Sequence, residues 1–203
     1  MRATDILTEE HRIILRVLSC LRQIAENGER AGALDADDAR AAIRLMRDFA
    51  DRCHHSKEEE LLFPVMEAHG FPRHGGPTGV MIMEHDEGRR LVGRLAESVD
   101  QAAVGEVAAL RAFSSAARQL DGMLAEHIQK EDHCLFSMAD GAVSDTAAAT
   151  LLADFRRVEE RAGGTRHAEA LAGTAALCRR LGLDFDVENE LATLHEEFLT
   201  AVR

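Results

Sequence analysis

The segment CHHSKEEELLFP, residues 53–64, sets two histidines ahead of three glutamates and ends in an apolar run and a proline. Within it, His54 and Glu58 are four residues apart, so both side chains lie on one face of a helix, one turn from each other. Apolar residues continue the same face in steps of three or four, which predicts that both groups point into the core. Burying either group without a partner is costly, so the pair requires mutual hydrogen bonds or a metal ion.

The same spacing recurs in HIQKE, residues 127–131, where His127 and Glu131 also lie on an apolar stripe. Two further histidines, His11 and His85, fall among the apolar positions of two other predicted helices. Each of four long helices therefore supplies an inward imidazole, and two of them supply a carboxylate as well.

Four imidazoles and two carboxylates favour a pair of first-row transition metal ions bridged by the carboxylates. Iron is the first choice and manganese is less favoured. A single zinc ion uses at most four ligands, and calcium prefers oxygen ligands. A purely structural helical bundle, in which the same side chains bond only to one another, is the alternative.

The composition favours an all-α fold, because Trp and Tyr are absent and the three prolines all fall within residues 64–77. Helices are predicted from Thr4 or Asp5 to Asn27-Gly28, from Asp35 or Asp37 to Ala68, from Pro77, and from about Glu106 to Met138. We assign residues 1–140 to a four-helix bundle. Residues 141–203 read as a helical extension of three shorter helices, which packs on the bundle or on a second copy of the chain in a homo-oligomer.

The charge of the chain restricts its partners. With 24 Lys and Arg against 36 Asp and Glu, the net charge is -12, which argues against nucleic acid and anionic membrane as partners. No signal-peptide pattern and no apolar run of about 18 residues is present, so a cytoplasmic protein is expected. The four widely spaced cysteines are predicted to be reduced thiols.

The order of these motifs resembles the bacterial hemerythrin-like, or HHE cation-binding, family over roughly residues 5–140. The resemblance rests on His11, residues 53–64, GPTGVMIMEHDEGRR at residues 76–90, and HIQKEDHCLF at residues 127–136. It implies an up-down four-helix bundle around a non-haem diiron centre. It further implies terminal ligands at His11, His54, His85 and His127, and bridging carboxylates at Glu58 and Glu131.

The sequence departs from the oxygen-carrying members of that family in two places. Carriers have a second histidine one turn from the first on the third helix, whereas Met81 and Arg89 stand at those positions around His85. One iron is therefore expected to lack a protein ligand. Carriers also have an aspartate five residues after the last histidine, where this chain has Asp132. We predict Glu131 instead, because it repeats the spacing of the second helix, with Asp132 as the alternative.

Several neighbouring side chains have more than one interpretation. His55, one position off the stripe, is an outer group, an alternative ligand or a boundary residue, and the same alternatives apply to His133. Glu59 and Glu60 are predicted to face solvent. Glu84 is predicted at the surface or orienting an imidazole. His167 and His195 in the extension are predicted to be ordinary helix-surface histidines.

An open coordination position favours reaction with peroxide, nitric oxide or dioxygen over reversible oxygen carriage. The first hypothesis is therefore a diiron enzyme that removes peroxide or a related oxidant. A second hypothesis is a binding or sensing module for dioxygen, nitric oxide or iron, in which the extension reports occupancy to a partner. A third is donation of iron for the repair of iron centres.

Overall fold

The computed structural model describes residues 1–161 and 165–185, which form six helices and no strand, so the predicted all-α class is confirmed. None of these helices combines the length and the apolar character that crossing a membrane requires. The helix predicted within residues 186–203, which contains His195, lies outside the described residues. The helices are α1 (Ala3–Ala31), α2 (Ala36–Leu45 continued by Met46–His55, Glu58–Leu62 and Phe63–Ala68), α3 (Pro77–Ala103), α4 (Val107–Lys130 continued by Glu131–Leu135 and Phe136–Ala142), α5 (Asp145–Arg161) and α6 (Arg166–Leu181).

Three helices begin where the sequence predicts. The Asp35 carboxylate accepts hydrogen bonds from the backbone N–H groups of Asp37 and Asp38 at 3.0 Å and caps α2. Pro77 occupies the first turn of α3, where its missing N–H carries no penalty. The Glu106 carboxylate caps α4 in the same way as Asp35 caps α2.

Helix α1 runs past its predicted stop at Gly28. This glycine is buried, and a Cβ atom there would lie 3.1 Å from side-chain atoms of Leu34 and Leu110. Gly28 therefore permits close helix packing and does not end the helix. The helix ends at Ala31, followed by Gly32 in the left-handed conformation with φ of 77°.

Two of the long helices contain π-helical segments, in α2 over Met46–His55 and Glu58–Leu62, and in α4 over Glu131–Leu135. At the end of the first segment the Ser56 N–H donates to the Asp51 carbonyl five residues back. A π turn holds more residues than the 3.6 of an α turn, so successive side chains are separated by less than about 100°. Adjacent positions can therefore share the core-facing side.

Helices α1 to α4 surround one core, with α1 and α3 each in contact with both α2 and α4. The apolar side chains form two clusters. The larger contains Leu18, Leu21 and Phe113, and the smaller contains Leu7 and Phe136. Each of the four helices contributes side chains to both clusters. Between its two contributions lies a polar residue that was predicted to face the core.

The two C-terminal helices pack on this bundle, α6 against α1 and α2, and α5 against α1 and the second half of α2. Phe155 of α5 enters the smaller apolar cluster, and Leu177 of α6 enters the larger one. All four cysteines are free, as predicted. The Sγ atoms of Cys20 and Cys178 lie 3.4 Å apart across the contact between α1 and α6.

Candidate metal centre

The core of the bundle contains one inward histidine from each of its four helices, His11, His54, His85 and His127, and none is more than 1% exposed. They form two pairs. The Nε2 atoms of His11 and His54 are 3.0 Å apart, and those of His85 and His127 are 3.1 Å apart.

Two carboxylates lie between these pairs. Glu58 Oε2 is 3.6 Å from His54 Nε2 and 3.4 Å from His85 Nε2. Glu131 Oε2 is 3.2 Å from both His11 Nε2 and His127 Nε2. Each carboxylate thus faces one histidine of either pair. Both side chains are fully buried, and none of their four oxygens makes a hydrogen bond within the described residues.

The outward nitrogen of each of these four imidazoles hydrogen-bonds a carboxylate. The pairs and their Nδ1–oxygen distances are His11–Asp132 at 2.8 Å, His54–Glu10 at 2.9 Å, His85–Glu59 at 2.7 Å and His127–Glu84 at 2.8 Å. Because a carboxylate only accepts, each Nδ1 carries a proton and each Nε2 is the nitrogen that faces the core. Carboxylates that orient imidazoles in this way are typical of metal ligands in proteins.

The protonation of the centre shows how strongly it attracts positive charge. Burial lowers the pKa of His11, but the hydrogen bond to Asp132 and the nearby carboxylate of Glu131 outweigh it and raise the pKa to about 10. Burial likewise opposes protonation of His85, but the nearby carboxylate of Glu58 and the hydrogen bond to Glu59 raise its pKa to about 9. A proton on one imidazole of each pair accounts for the short Nε2–Nε2 contacts, and a metal ion would displace it.

A fifth imidazole belongs to the same site. His55 is 5% exposed, and its ring stacks on that of His85 with centroids 3.9 Å apart. One ring nitrogen each of His55, His85 and His127 lie within 4.8 Å of one another. Burial rules out the boundary position that sequence analysis considered for His55.

The π-helical segment explains why His54 and His55 both reach the core although they are adjacent in sequence. The segment Met46–His55 ends at this doublet, and the two ring centroids are 5.6 Å apart. The phase of a regular α-helix places only one of two neighbours on the buried stripe. The two adjacent histidines were the signal available in the sequence. A fixed helical period of 3.6 residues predicts that only one of them faces the core.

The third helix supplies no further ligand near His85. Met81 is buried among apolar side chains, and Arg89 binds the carboxylates of Asp51, Glu59 and Asp86. The third imidazole beside His85 and His127 comes from α2 instead. The expectation that one iron lacks a protein ligand stays a prediction, and His11 and His54 are the pair with fewer neighbouring imidazoles.

The residues fit metal cations in two adjacent clusters, His11, His54, Glu58 and Glu131 in one, and His55, His85 and His127 in the other. Imidazole nitrogen and carboxylate oxygen together suit iron, manganese or zinc. Carboxylate oxygens buried without hydrogen bonds are the groups that a bound cation would satisfy.

A cavity of ≈ 100 Å³ reaches this site from the side of His55. Its wall is largely apolar, with Ala50, Gly88 and Leu120 among the lining residues and Arg89 at one side. A cavity of this size holds a few water-sized molecules, since each occupies about 30 Å³ in the liquid. The cavity thus leaves space for a small ligand next to His55.

Other predicted residues lie around the centre. Asp132, the alternative to Glu131, hydrogen-bonds His11 and Thr8 from outside the cluster. His133 is exposed. The prediction that Glu59 faces solvent is wrong, because this side chain is 25% exposed and binds His85. Of the two alternatives predicted for Glu84, the structure supports the role of orienting an imidazole, because its carboxylate binds His127.

The prediction that His167 is a helix-surface residue is also wrong. Its side chain is 15% exposed and contacts Glu10 and Glu159. Sequence analysis missed Glu10, which lies on the buried side of α1 next to His11. The signal available in the sequence was its spacing: Glu10 lies three residues after Leu7 and four before Ile14, on the apolar stripe of α1.

An all-α core that directs imidazoles and carboxylates at one another defines a helical protein of the metal-binding class. The family model of the hemerythrin HHE cation-binding domain matches residues 2–139, and the chain belongs to this family. The match contains every candidate ligand and ends before α5. Among curated proteins and among solved structures, none is significantly similar to the chain.

Proposed function

We propose that the protein is a non-haem diiron protein that binds and acts on peroxide, dioxygen or nitric oxide. The observation that carries this proposal is the position of the two buried carboxylates, each of which faces an imidazole of both histidine pairs. The proposal includes an up-down order of the four helices. The ligands would be His11, His54, His85 and His127, with Glu58 and Glu131 bridging and His55 as an additional ligand.

Iron is preferred over manganese because five imidazoles outnumber two carboxylates, and manganese favours oxygen ligands. When bound, the iron ions supply redox chemistry and an exchangeable coordination position. The chain holds the Nε2 lone pairs inward through its outer carboxylates. Its two apolar clusters keep bulk water from the bridging glutamates.

His11 and His54 would give one ion two imidazoles, whereas His55, His85 and His127 would give its neighbour three, so the incomplete position would lie beside His11 and His54. A small molecule would bind there. The lack of a second histidine on α3 was the reason to favour reaction over reversible oxygen binding. Because His55 supplies a fifth imidazole, this lack does not decide between the two. Peroxide removal and ligand binding are therefore distinguished by experiment.

A non-catalytic sensing module is the second candidate, and one observation favours it. The carboxylate that orients His54 is also bound by the C-terminal helices, so occupancy of the centre has a physical path to them. Iron donation is less favoured because all six predicted ligands are buried.

Metal analysis of protein purified without added metal tests the proposal. We expect two irons per chain in the wild type and in His69→Ala, an exposed histidine outside the site, and loss of iron in Glu58→Gln. Peroxide consumption that falls with iron content supports turnover, whereas reversible ligand spectra without consumption support sensing. Wild-type protein that contains neither iron nor manganese would overturn the proposal.

A further inference from the structure

Four charged side chains, three buried and one largely buried, form a second polar cluster beside the candidate metal centre. We call it the Glu10 cluster, and it consists of Glu10, Lys57, Glu159 and His167. Glu10 and Lys57 belong to α1 and α2 of the bundle, whereas Glu159 and His167 belong to α5 and α6. Glu10 is 0% exposed and Lys57 is 1% exposed, so these are among the most deeply buried charges in the described residues.

The four side chains form a closed ring of contacts. Glu10 Oε1 accepts hydrogen bonds from Lys57 Nζ and, at 2.5 Å, from His167 Nε2. Glu159 accepts from Lys57 Nζ at 2.9 Å and from His167 Nδ1 at 3.2 Å. Both ring nitrogens of His167 therefore face carboxylates, which requires a protonated imidazole. The ring of Phe155 lies 5.9 Å from the ammonium group of Lys57.

The cluster balances its own charge. Burial opposes ionisation throughout, but neighbouring charges keep the pKa of Glu159 at about 2 and raise that of His167 to about 9. Two carboxylates thus face two cations. Glu10, Cys53 and Glu159 are close enough together to hold a metal ion. Lys57 and the protonated His167 together already neutralise both carboxylates, so we assign no metal there.

Glu10 joins this cluster to the metal centre through its second oxygen. Its Oε2 accepts the Nδ1 hydrogen bond of His54 at 2.9 Å, while its Oε1 is bound within the cluster. Of the four carboxylates that orient the imidazoles, Glu10 alone is fully buried, and the side chains of the other three are 23% to 25% exposed. Water can hydrogen-bond to those three carboxylates, whereas Glu10 depends on protein partners for its hydrogen bonds.

Within residues 1–161 and 165–185, Glu10 is also the one of these four carboxylates that binds a side chain of the C-terminal helices. Arg89 of α3 binds Glu59, and Lys130 of α4 binds Glu84, so both partners come from the bundle itself. The family match ends at residue 139, before the helices that carry Glu159 and His167. The C-terminal helices are thus an addition that reaches one half of the site.

We propose that α5 and α6 complete the metal centre, because Glu159 and His167 position Glu10 and Glu10 fixes the imidazole of His54. The inference rests on the proposed metal site and assigns positioning residues to it. Linkage makes the effect reciprocal. Helices that raise metal affinity are held more tightly on the bundle when metal is bound.

Competition with a chelator measures the effect on iron affinity. Loss of an outer partner of a metal ligand costs about 10- to 100-fold in affinity. We expect roughly tenfold weaker binding of one of the two ions in Glu159→Gln and in His167→Ala. His167→Gln should retain more affinity, since its amide still donates to Glu10. The control Glu160→Gln alters an exposed neighbour of Glu159 and should match the wild type.

Double variants separate positioning from a general effect on folding. Glu159→Gln should cause little further loss of iron affinity when Glu10→Gln is already present, because Glu159 acts through Glu10. It should be additive with Glu84→Gln, which affects His127 and the other pair. Unchanged iron affinity in Glu159→Gln and His167→Ala, with only the metal-free protein less stable, would overturn the inference.

Hydrogen exchange of the wild type tests the reciprocal effect without any substitution. Amides of Asp145–Arg161 and Arg166–Leu181 should exchange more slowly when iron is bound. Equal exchange with and without iron would overturn the coupling even if a variant fails to fold. A wild type that binds no iron instead refutes the proposed function, so the two failures are distinguishable.

Discussion

His55 on α2 stacks on His85 on α3, with ring centroids 3.9 Å apart and ring planes inclined by 13°. The contact places a fifth imidazole beside His85 and His127, although α3 has no second inward histidine. His55 has a lowered pKa, because burial and the neighbouring imidazoles His85, His54 and His127 oppose its protonation. A neutral imidazole is the form that binds a metal ion.

Replacement of His55 tests its assignment as a ligand. We expect His55→Ala to weaken binding of one of the two ions by at least about tenfold, since even outer partners of ligands contribute that much. Metal analysis after dialysis against a graded chelator series measures the change. His133→Ala, an exposed histidine on α4, is the matched control. Two ions retained at wild-type affinity would restrict His55 to packing.

Removal of metal should destabilise the wild type. Glu58 and Glu131 are buried without hydrogen bonds, so a bound cation satisfies them and binds only the folded chain. With metal at 100 times its dissociation constant, the stabilisation is about 2.7 kcal/mol, or roughly 5–10 °C in Tm for a domain of this size.

Thermal unfolding with and without chelator measures that difference. Glu58→Gln should not respond to the chelator, whereas Glu60→Gln, an exposed neighbour, should respond like the wild type. A wild-type Tm that is indifferent to the chelator contradicts the prediction and supports a purely structural bundle.

The Glu10 cluster should make stability depend on pH through His167. Glu10 and Glu159 raise the pKa of His167 to about 9 against burial and against Lys57, whereas the unfolded value is about 6.5. The folded state therefore binds more protons between these values. The contribution of His167 is complete below about pH 6.5 and is lost as pH rises towards 9.

Urea unfolding of the wild type and His167→Gln from pH 6 to 10 measures this contribution. The wild type should lose up to about 3 kcal/mol relative to the variant across that window. Parallel curves for the two proteins would show that His167 is not charged in the folded state.

Phe155 should anchor α5 to the bundle. Its side chain is 0% exposed, and it lies in the smaller apolar cluster near Lys57. Phe155→Ala should lower the free energy of unfolding by about 3–5 kcal/mol, because it removes buried area and leaves a cavity. Arg157→Ala, an exposed position on the same helix, should change it by less than about 1 kcal/mol. Urea unfolding measures both free energies, and an equal decrease in Phe155→Ala and Arg157→Ala would contradict this role.

The six inward residues could be predicted from sequence because their spacing is local. A step of four residues places His54 above Glu58 and His127 above Glu131 whatever else the chain does. The apolar residues around each step fix which face is buried. For the same reason Glu131 could be preferred to Asp132, and the structure brings Glu131 into the cluster.

Other features depend on backbone geometry that the residue pattern does not specify. A π-helical segment changes the angle between neighbours, so His55 joins His54 on the core side against the period of 3.6. Gly28 fits a helix stop in sequence, yet close packing against Leu34 and Leu110 keeps it helical.

The sequence by itself determined an all-α fold and the helix face on which each candidate ligand lies, because both follow from the spacing of residues within one helix. Only the tertiary structure decided which helices meet at which side chains. Glu10 and His167 are 157 residues apart, and no local period connects them. Their contact, and the hydrogen bond that joins it to His54, arise from the packing of α6 on the bundle.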